Sequence, residues 1–292
     1  MKKRSIPVYG INKFKRTETL FDGFHVEEFD AQRHFEVQYP HRHDFFEILF
    51  LTRGSGNHVI DFKEYQIKPN SIFFLSPGQI HNIELSKDVE GFIFLFSSEF
   101  FLLNAKEANK LLEFPFFYHL GEQQPPLYLE SQSDVVFLKS LFVKVCQEII
   151  TPTVDTFDIV HSTLNLILFV SKKIYPKSES SIVAKKGHLL VKKFKVLIDE
   201  YYESNFTVST YAEMLNVTPS HLTEIVKGVT GRTSTDMINE KMNLEIKRLL
   251  LFTNNSVTEI CESLNFKDQS YFSRYFKRLE GVSPLEFRKR NN

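Results

Sequence analysis

The stretch "SLNFKDQSYFSRYFKRLEGVSPLEF", residues 263–287, combines aromatic, arginine and lysine residues and then reaches a glycine turn. Its apolar residues recur at spacings that place them on one inward face of a helix. They are Phe266, Phe272, Tyr275 or Phe276, and Leu279. The polar and cationic residues fall on the other faces, where they can meet base edges and phosphates in a major groove. They are Gln269, Ser270, Ser273, Arg274 and Lys277. For a single amphipathic helix, an ordinary solvated surface is the better interpretation.

An internal repeat favours a DNA-binding face over an ordinary solvated surface. "LTEIVKGVTGRT", residues 222–233, aligns with "FSRYFKRLEGVS", residues 272–283, at an offset of 50 residues. A short helical pattern precedes each copy, "TVSTYAEML" before the first and "SVTEICESL" before the second. Each pair predicts a helix, a turn of three or four residues and a second helix. Two such units joined by a helix over 234–252 favour DNA as the partner.

Charge and composition give weaker indications. The 292 residues include 36 Lys+Arg and 36 Asp+Glu, for a net charge of zero. Residues 182–292 hold 17 basic and 13 acidic residues, a balance of +4, which leaves −4 for the remainder. This asymmetry suits a polyanionic partner of the C-terminal third. The two cysteines argue against a disulfide framework or a cysteine-ligated zinc.

No apolar segment typical of a signal peptide follows the basic "MKKR" start. The richest apolar runs, "FIFLFSSEFFLL" and "LNLILFV", are too short to span a bilayer. The sequence therefore predicts a cytoplasmic protein with no membrane partner.

The N-terminal third has a β pattern. Short runs rich in Phe, Ile and Val occupy 45 or 46 to 51, 58–62, 71–75 and 91–96, and the turn sequences "RGSGN", "KPN" and "SPGQ" separate them. Several short strands at this spacing predict an antiparallel barrel or sandwich.

Helical periodicity follows. Ser133-Asp134 is predicted to cap a helix that Thr151-Pro152 ends, and Asp155 opens another. Both helices are apolar around more than one stripe, which fits a second subunit or a purely intramolecular hairpin. The polar segment 176–187 is typical of a linker. Beyond it, helices are predicted at about 188–202, 208–215, 219–228, 234–252, 257–264, 269–279 and 284–289.

Residues 238–288 closely resemble the DNA-binding domain of the AraC/XylS family of transcription regulators. The residues that carry the resemblance are Phe272, Arg274, Phe276, Lys277, Gly281, Ser283, Pro284 and Arg288. The resemblance implies two helix-turn-helix units, at about 207–230 and 257–280, that place their recognition helices in successive major-groove segments. It also implies action on promoter DNA together with RNA polymerase.

The resemblance assigns DNA contacts by position. Base-facing positions are Ser220, Thr223 and Glu224 in the first unit and Gln269, Ser270, Ser273 and Arg274 in the second, with Lys227 and Lys277 at phosphates. The chain departs from the family pattern at four positions. Glu224 stands where the family often has arginine, and its carboxylate either accepts a hydrogen bond from cytosine or pairs with a local cation. Asn265 stands where the family has a turn glycine, and asparagine tolerates the left-handed conformation of that turn. Ile246 and Cys261 replace alanine and alter packing only.

The candidate ligand-binding residues of the N-terminal part are three histidines and a glutamate. His41, His43 and Glu47 have the spacing H-x-H-x₃-E, and His81 follows Pro77-Gly78. Three imidazoles and a carboxylate could bind a divalent metal. The set resembles the cupin motif pair and the cupin-like sensor domain of AraC-type regulators. The second motif is imperfect, because Pro77 and Gly78 are adjacent, so contact with an effector or a structural role is favoured over metal, and no cofactor is predicted.

These observations predict an α+β two-domain protein. The parts are a cupin-like effector-binding β-barrel (20–100), a helical dimerisation segment (101–175), a linker (176–187) and an all-α double helix-turn-helix domain (188–290). The predicted function is an effector-responsive, homodimeric transcription regulator, not an enzyme, and the family suggests activation and a sugar effector. Two alternatives stay open: a metal-dependent cupin enzyme, and a constitutive regulator whose barrel is only a dimerisation scaffold.

Overall fold

The computed structural model describes residues 6–14, 21–30, 40–103, 109–118, 125–176 and 185–291, with the side chains of 185 and 186 left out. The chain forms two compact units. One spans Pro7–Ser178 and contains the strands, and the other includes Glu179–Asn292 and is helical in its described part. The predicted α+β two-domain fold is therefore confirmed. No helix in the described ranges is long and apolar enough to cross a membrane.

The strands of the first unit are short. They are β1 (Val8–Tyr9), β2 (Phe24–Asp30), β3 (Arg42–His43), β4 (Phe46–Arg53), β5 (Gly56–Ile60), β6 (Lys63–Ile67), β7 (Ser71–Leu75), β8 (His81–Leu85), β9 (Glu90–Phe96) and β10 (Leu127–Tyr128). They form a five-stranded sheet in the order β10-β7-β4-β9-β2, a three-stranded sheet in the order β6-β5-β8, and the parallel pair β1-β3. The four apolar runs identified in the sequence fall on β4, β5, β7 and β9, but the run at 58–62 extends beyond β5, because Asp61 and Phe62 form a turn with positive φ.

Strand β4 is buried on both faces. Ile48 and Phe50 belong to the core shared with the helices, whereas Leu49 and Leu51 belong to a second core that includes residues of the three-stranded sheet. Alternation along a strand sends successive side chains to opposite faces, which is why β4 is apolar at nearly every position. Glu47 has the same parity as Leu49, so its carboxylate points toward the second core.

The expected closed barrel does not form among the described residues, where the strands make separate sheets. At one edge of the large sheet, β10 pairs with β7 through only two residues, Leu127 and Tyr128. A strand of two residues is too short to extend the ladder around a barrel. Its Tyr128 hydroxyl instead donates to the carbonyl oxygen of Gln66 at 2.7 Å, so a side chain joins the sheets at this corner.

Three α-helices complete the described part of the first unit: α1 (Ser98–Leu102), α2 (Gln132–Ile150) and α3 (Thr156–Ile174). α2 begins one residue before the predicted cap, because Ser131 is the N-cap, and it ends at Ile150 as expected. Its Phe142 ring lies 5.4 Å from the Phe50 ring of β4, so α2 covers the outer face of the large sheet.

The second unit is built from seven helices in its described part. They are α4 (Lys185–Tyr201), α5 (Val208–Met214), α6 (Pro219–Thr230), α7 (Ser234–Phe252), α8 (Val257–Ser263), α9 (Gln269–Glu280) and α10 (Pro284–Asn291). α7 contacts α4, α6, α8 and α9, and thereby connects the two helix pairs α5–α6 and α8–α9. The predicted linker, 176–187, falls largely outside the described residues, and α4 begins within it, at Lys185.

Candidate functional site

The two helix pairs share one turn geometry. In the first pair, Asn216 adopts a φ of 55° and the Val217 amide donates to the Ala212 carbonyl at 3.0 Å. In the second, Asn265 adopts a φ of 54° and the Phe266 amide donates to the Cys261 carbonyl at 3.0 Å. The left-handed region tolerates asparagine, so Asn265 keeps the turn that a glycine would make.

The second helix of each pair also begins and ends in one way. The side chain of Thr218 accepts from the His221 amide at 3.2 Å, and that of Asp268 accepts from the Tyr271 amide at 2.7 Å. Both helices have 12 residues, and each stops at a left-handed glycine, with a φ of 73° at Gly231 and 76° at Gly281. These caps fix the ends of α6 and α9, so corresponding positions of the two helices are exposed.

The nine predicted DNA-contact residues lie on those faces. Seven are exposed and two, Thr223 and Ser273, are half-buried. The exposed ones are Ser220, Glu224 and Lys227 on α6, and Gln269, Ser270, Arg274 and Lys277 on α9. The opposite faces hold Leu222 and Phe272, both with no exposed surface. The structure therefore leaves all nine side chains accessible in part or in full.

The two faces differ in charge. α6 carries one acidic residue, Glu224, and one basic residue, Lys227, for a balance of zero. α9 carries three basic residues and one acidic residue, Glu280, for a balance of +2. Glu280 is paired with Lys247 of α7 at 3.1 Å, whereas no ion pair joins Glu224 to another described residue. The local partner considered for Glu224 is thus absent from this part of the chain, and α9 is the more positively charged of the two helices.

One signature residue has a structural role. Arg288 donates from Nε to the carbonyl oxygen of Leu250 at 2.7 Å, near the end of α7. A cation at a helix C-terminus satisfies an unpaired carbonyl and complements the helix dipole.

The predicted effector residues meet in the interior of the first unit. His41 and His43 have no exposed surface, and Glu47 and His81 are each 4% exposed. A backbone bridge joins His41 to His81, and their rings lie 4.4 Å apart. The structure adds His58 of β5, also fully buried, whose ring is 5.3 Å from that of His81. We call these five residues the histidine cluster.

Hydrogen bonds fix the cluster's geometry. The His43 Nδ1 atom donates to the carbonyl oxygen of Phe45 at 2.8 Å. His81 lies between two imidazoles, with Nε2 3.1 Å from Nε2 of His41 and Nδ1 3.1 Å from Nε2 of His58. Burial lowers the pKa of His43 and of His58 to about 3 and raises the pKa of Glu47 to about 8. Removal of water disfavours the charged form of each group.

Sequence analysis overlooked His58. Strand parity places His58 and Ile60 on one face of β5, but only the folded register, in which Ile60 pairs with His81, brings that face to the cluster. Glu47 was found through its spacing from the two preceding histidines.

Comparison with known proteins identifies both units. A sequence model of the AraC-like ligand binding domain matches residues 27–138, and a model of a helix-turn-helix domain matches residues 211–290. An uncharacterized HTH-type transcriptional regulator of Bacillus subtilis, YfiF, is 25% identical over 94% of this chain and 86% of its own length. The HTH-type transcriptional activator RhaR of Yersinia pseudotuberculosis is 22% identical over 87% of this chain and 86% of its own length.

Solved structures give matches of low global similarity. The C-terminal domain of AraT, a response regulator from Geobacillus stearothermophilus, is 28% identical, covers 38% of this chain and 88% of that chain, and has a TM-score of 0.32. ToxT from Vibrio cholerae is 14% identical, covers 91% of this chain and 98% of that chain, and has a TM-score of 0.42.

Two matched domains in this order, and relatives matched over most of their length, agree with the duplicated helix pairs and the sheet-rich first unit. The chain belongs to the AraC/XylS family of transcription regulators, with an N-terminal ligand-binding domain and a C-terminal helix-turn-helix DNA-binding domain.

Proposed function

We propose that this regulator reads promoter DNA by placing α6 and α9 in successive major-groove segments. The observation that carries the proposal is the matched capping of two 12-residue helices whose polar faces are accessible. Base contacts are assigned to Ser220, Thr223, Glu224, Gln269, Ser270, Ser273 and Arg274, and phosphate contacts to Lys227 and Lys277. The carboxylate of Glu224, which has no ion-pair partner among the described residues, would accept from cytosine N4 or repel phosphate, so α9 contributes more of the affinity.

We also propose that the N-terminal domain makes DNA binding responsive to an effector. His41, His43, Glu47 and His81 are its candidate contacts, supported by their convergence in one buried cluster. An effector that binds one arrangement of domains or subunits better than another shifts the population toward that arrangement. The domain limits given above (20–100, 101–175, 176–187 and 188–290) are part of this proposal. So are the absence of catalytic activity and a cytoplasmic location.

The relative RhaR is a transcriptional activator, which supports activation for this chain as well. Activation would require contact with RNA polymerase, which we propose as a further partner. A sugar is the effector class that the family suggests.

The helices of the first unit are proposed to form a homodimer interface. Val136 and Phe137 of α2 are 59% and 45% exposed, and Leu166 of α3 is 42% exposed. Apolar side chains exposed on adjacent helices are typical of a surface that a second subunit covers.

Replacement of Phe137 by glutamate is expected to weaken the dimer. Loss of a buried phenylalanine and burial of a charge should raise the dimer dissociation constant about 10- to 100-fold. Light scattering over a concentration series measures this constant. Lys139→Gln, an equal change in charge at another exposed position of α2, is the control and should leave the dimer intact. An unchanged mass for Phe137→Glu at every concentration would remove this surface from the proposal.

The DNA-binding proposal is tested with the full-length chain and fragments of its own upstream intergenic region. We expect one fragment to be preferred and the affinity to fall steeply with salt. Each lysine–phosphate contact would lower the affinity about 3-fold between about 50 and 200 mM salt. Fluorescence anisotropy at both concentrations measures the slope. Binding that is absent, or independent of salt, contradicts the proposal.

A further inference from the structure

A side-chain hydrogen bond joins the two helices of the second helix-turn-helix unit. The Thr258 hydroxyl of α8 donates to Oε1 of Gln269, the first residue of α9, at 3.0 Å. Both residues are exposed, and Gln269 is one of the base-contacting residues proposed above. The bond therefore connects the first helix of the unit to a side chain that would meet a base edge.

Both partners of this bond stand on capped helix ends. α8 begins with a reciprocal capping box, in which the Ser256 hydroxyl accepts from the Glu259 amide at 3.2 Å and the Glu259 carboxylate accepts from the Ser256 amide at 2.7 Å. Thr258 lies within that first turn. Gln269 directly follows Asp268, whose side chain caps α9. Because both helix starts are capped, the backbone holds the two side chains within reach of each other.

The hydrogen bond determines which end of the Gln269 amide is presented outward. A glutamine side chain ends in an acceptor oxygen and a donor NH₂ group, which lie on different sides of its amide carbon. With Oε1 turned toward Thr258, the Nε2 atom points away from that residue. Nε2 makes no hydrogen bond to another residue that the structure describes. Both of its N–H groups are therefore available to a base.

The two ends of a glutamine amide select different bases. Glutamine binds adenine with both ends, because Oε1 accepts from N6 while Nε2 donates to N7. In this chain Thr258 occupies Oε1 of Gln269, which leaves Nε2 as the free group. A group that only donates matches guanine, whose N7 and O6 atoms are both acceptors in the major groove.

The first helix-turn-helix unit is built differently at the corresponding positions. α5 and α8 begin 49 residues apart, and α6 and α9 begin 50 residues apart. Ser209 and Pro219 therefore correspond to Thr258 and Gln269. A proline side chain has no amide for a neighbouring hydroxyl to orient. The orienting bond thus has no counterpart between α5 and α6, both of which the structure describes in full.

We propose that Thr258 is a specificity-determining residue, which orients the Gln269 amide so that its NH₂ group reads guanine and disfavours adenine. Thr258 acts through Gln269 and is a positioning residue that contacts no base itself. The proposal rests on the function proposed above, in which α9 lies in a major groove. It assigns a base to one of the positions that the second unit reads.

The test is selection from a randomised double-stranded DNA library by the full-length protein, followed by sequencing of the bound fraction. Gln269→Ala identifies the operator position that Gln269 reads, because the base preference at that position is lost. There we expect the wild-type protein to favour guanine over adenine about 5-fold or more. Thr258→Val keeps the branched shape of the side chain but removes the hydroxyl, so the amide can turn. The preference for guanine should fall at least about 3-fold and adenine should rise.

Matched variants separate orientation of the amide from other effects. Thr258→Ser keeps the hydroxyl and should keep the wild-type base preference. Ser209→Ala removes the corresponding hydroxyl of the first unit and should leave the preference unchanged. Thr258→Val combined with Gln269→Ala should select the same bases as Gln269→Ala alone, because the hydroxyl acts only through the amide. Circular dichroism establishes folding, and Thr258→Ala is used if Thr258→Val does not fold.

The two proposals fail in different ways. Protein that selects no common sequence contradicts the DNA-binding function, and the role of Thr258 falls with it. Protein that selects a clear sequence leaves the DNA-binding function in place. In that case the role of Thr258 is overturned if Gln269→Ala alters no position, if adenine is favoured at the Gln269 position, or if Thr258→Val leaves the base preference unchanged.

Discussion

Replacement of Arg274 by alanine is expected to abolish the preference for the cognate promoter fragment and to weaken binding to it about 10- to 100-fold. Arg274 is exposed on α9, and no ion pair or hydrogen bond holds its guanidinium to another described residue. The neighbouring Arg278, in contrast, lies 5.5 Å from the centre of the Tyr275 ring. Arg274 is thus the arginine of α9 that is available for two hydrogen bonds to a guanine, the commonest specific contact in a major groove.

Two further variants distinguish base contact from general charge. Lys277→Ala should weaken binding to every fragment alike and reduce the salt slope by about one, because a phosphate contact carries no sequence information. Arg290→Ala removes the same charge as Arg274→Ala from α10, where Arg290 pairs with Glu286, and should have little effect. Anisotropy with cognate and unrelated fragments measures all three. Equal losses on both fragments for Arg274→Ala would assign Arg274 to phosphate binding.

The recognition helices were predictable because their signals are local. The glycines at 231 and 281 and the capping residues before α6 and α9 lie directly next to the helices they delimit. Because the pattern occurs twice, the second copy supports each signal that is weak by itself. Consequently the bounds of α6 and α9 differ from the sequence-based expectation by at most two residues.

The architecture of the first unit depends on contacts that no local pattern contains. β6 and β8 are short and largely polar or half-buried, so neither has a continuous apolar run. The large sheet stays open at β10, which has only two residues. β10 also lies more than 50 residues after its partner β7 in the chain. His58 joined the cluster through pairing of β5 with β8, which only the folded register reveals.

The sequence pattern also did not reveal the buried ion pair of α7. Disruption of this pair is expected to cause the largest loss of stability. Arg248 and Glu245 are each 1% exposed, and the Nη1 atom of Arg248 donates to Oε1 of Glu245. Lys241 extends the network, with Nζ 3.3 Å from Glu245 and 3.0 Å from Asp199 of α4. Removal of Arg248 leaves the buried carboxylate of Glu245 to share the single cation of Lys241 with Asp199, and this excess of negative charge is costly in a medium of low polarity.

Arg248→Met is therefore expected to lower the free energy of unfolding of the DNA-binding domain by about 3–5 kcal/mol. Because α7 connects the two helix pairs, promoter binding should fall together with stability. Urea unfolding of the full-length chain, followed by circular dichroism, measures the change. The double variant Glu245→Met/Arg248→Met should recover much of the loss, since two apolar side chains of similar volume can replace a buried ion pair.

An exposed pair provides the matched control for this prediction. Arg290 and Glu286 are 62% and 48% exposed at their side chains, and water already solvates both charges. Arg290→Met should consequently cost less than about 1 kcal/mol. If Arg248→Met costs no more than Arg290→Met, Arg248 is not held as a buried cation. If the double variant is less stable than Arg248→Met alone, Glu245 stabilises the domain without Arg248, through its pair with Lys241.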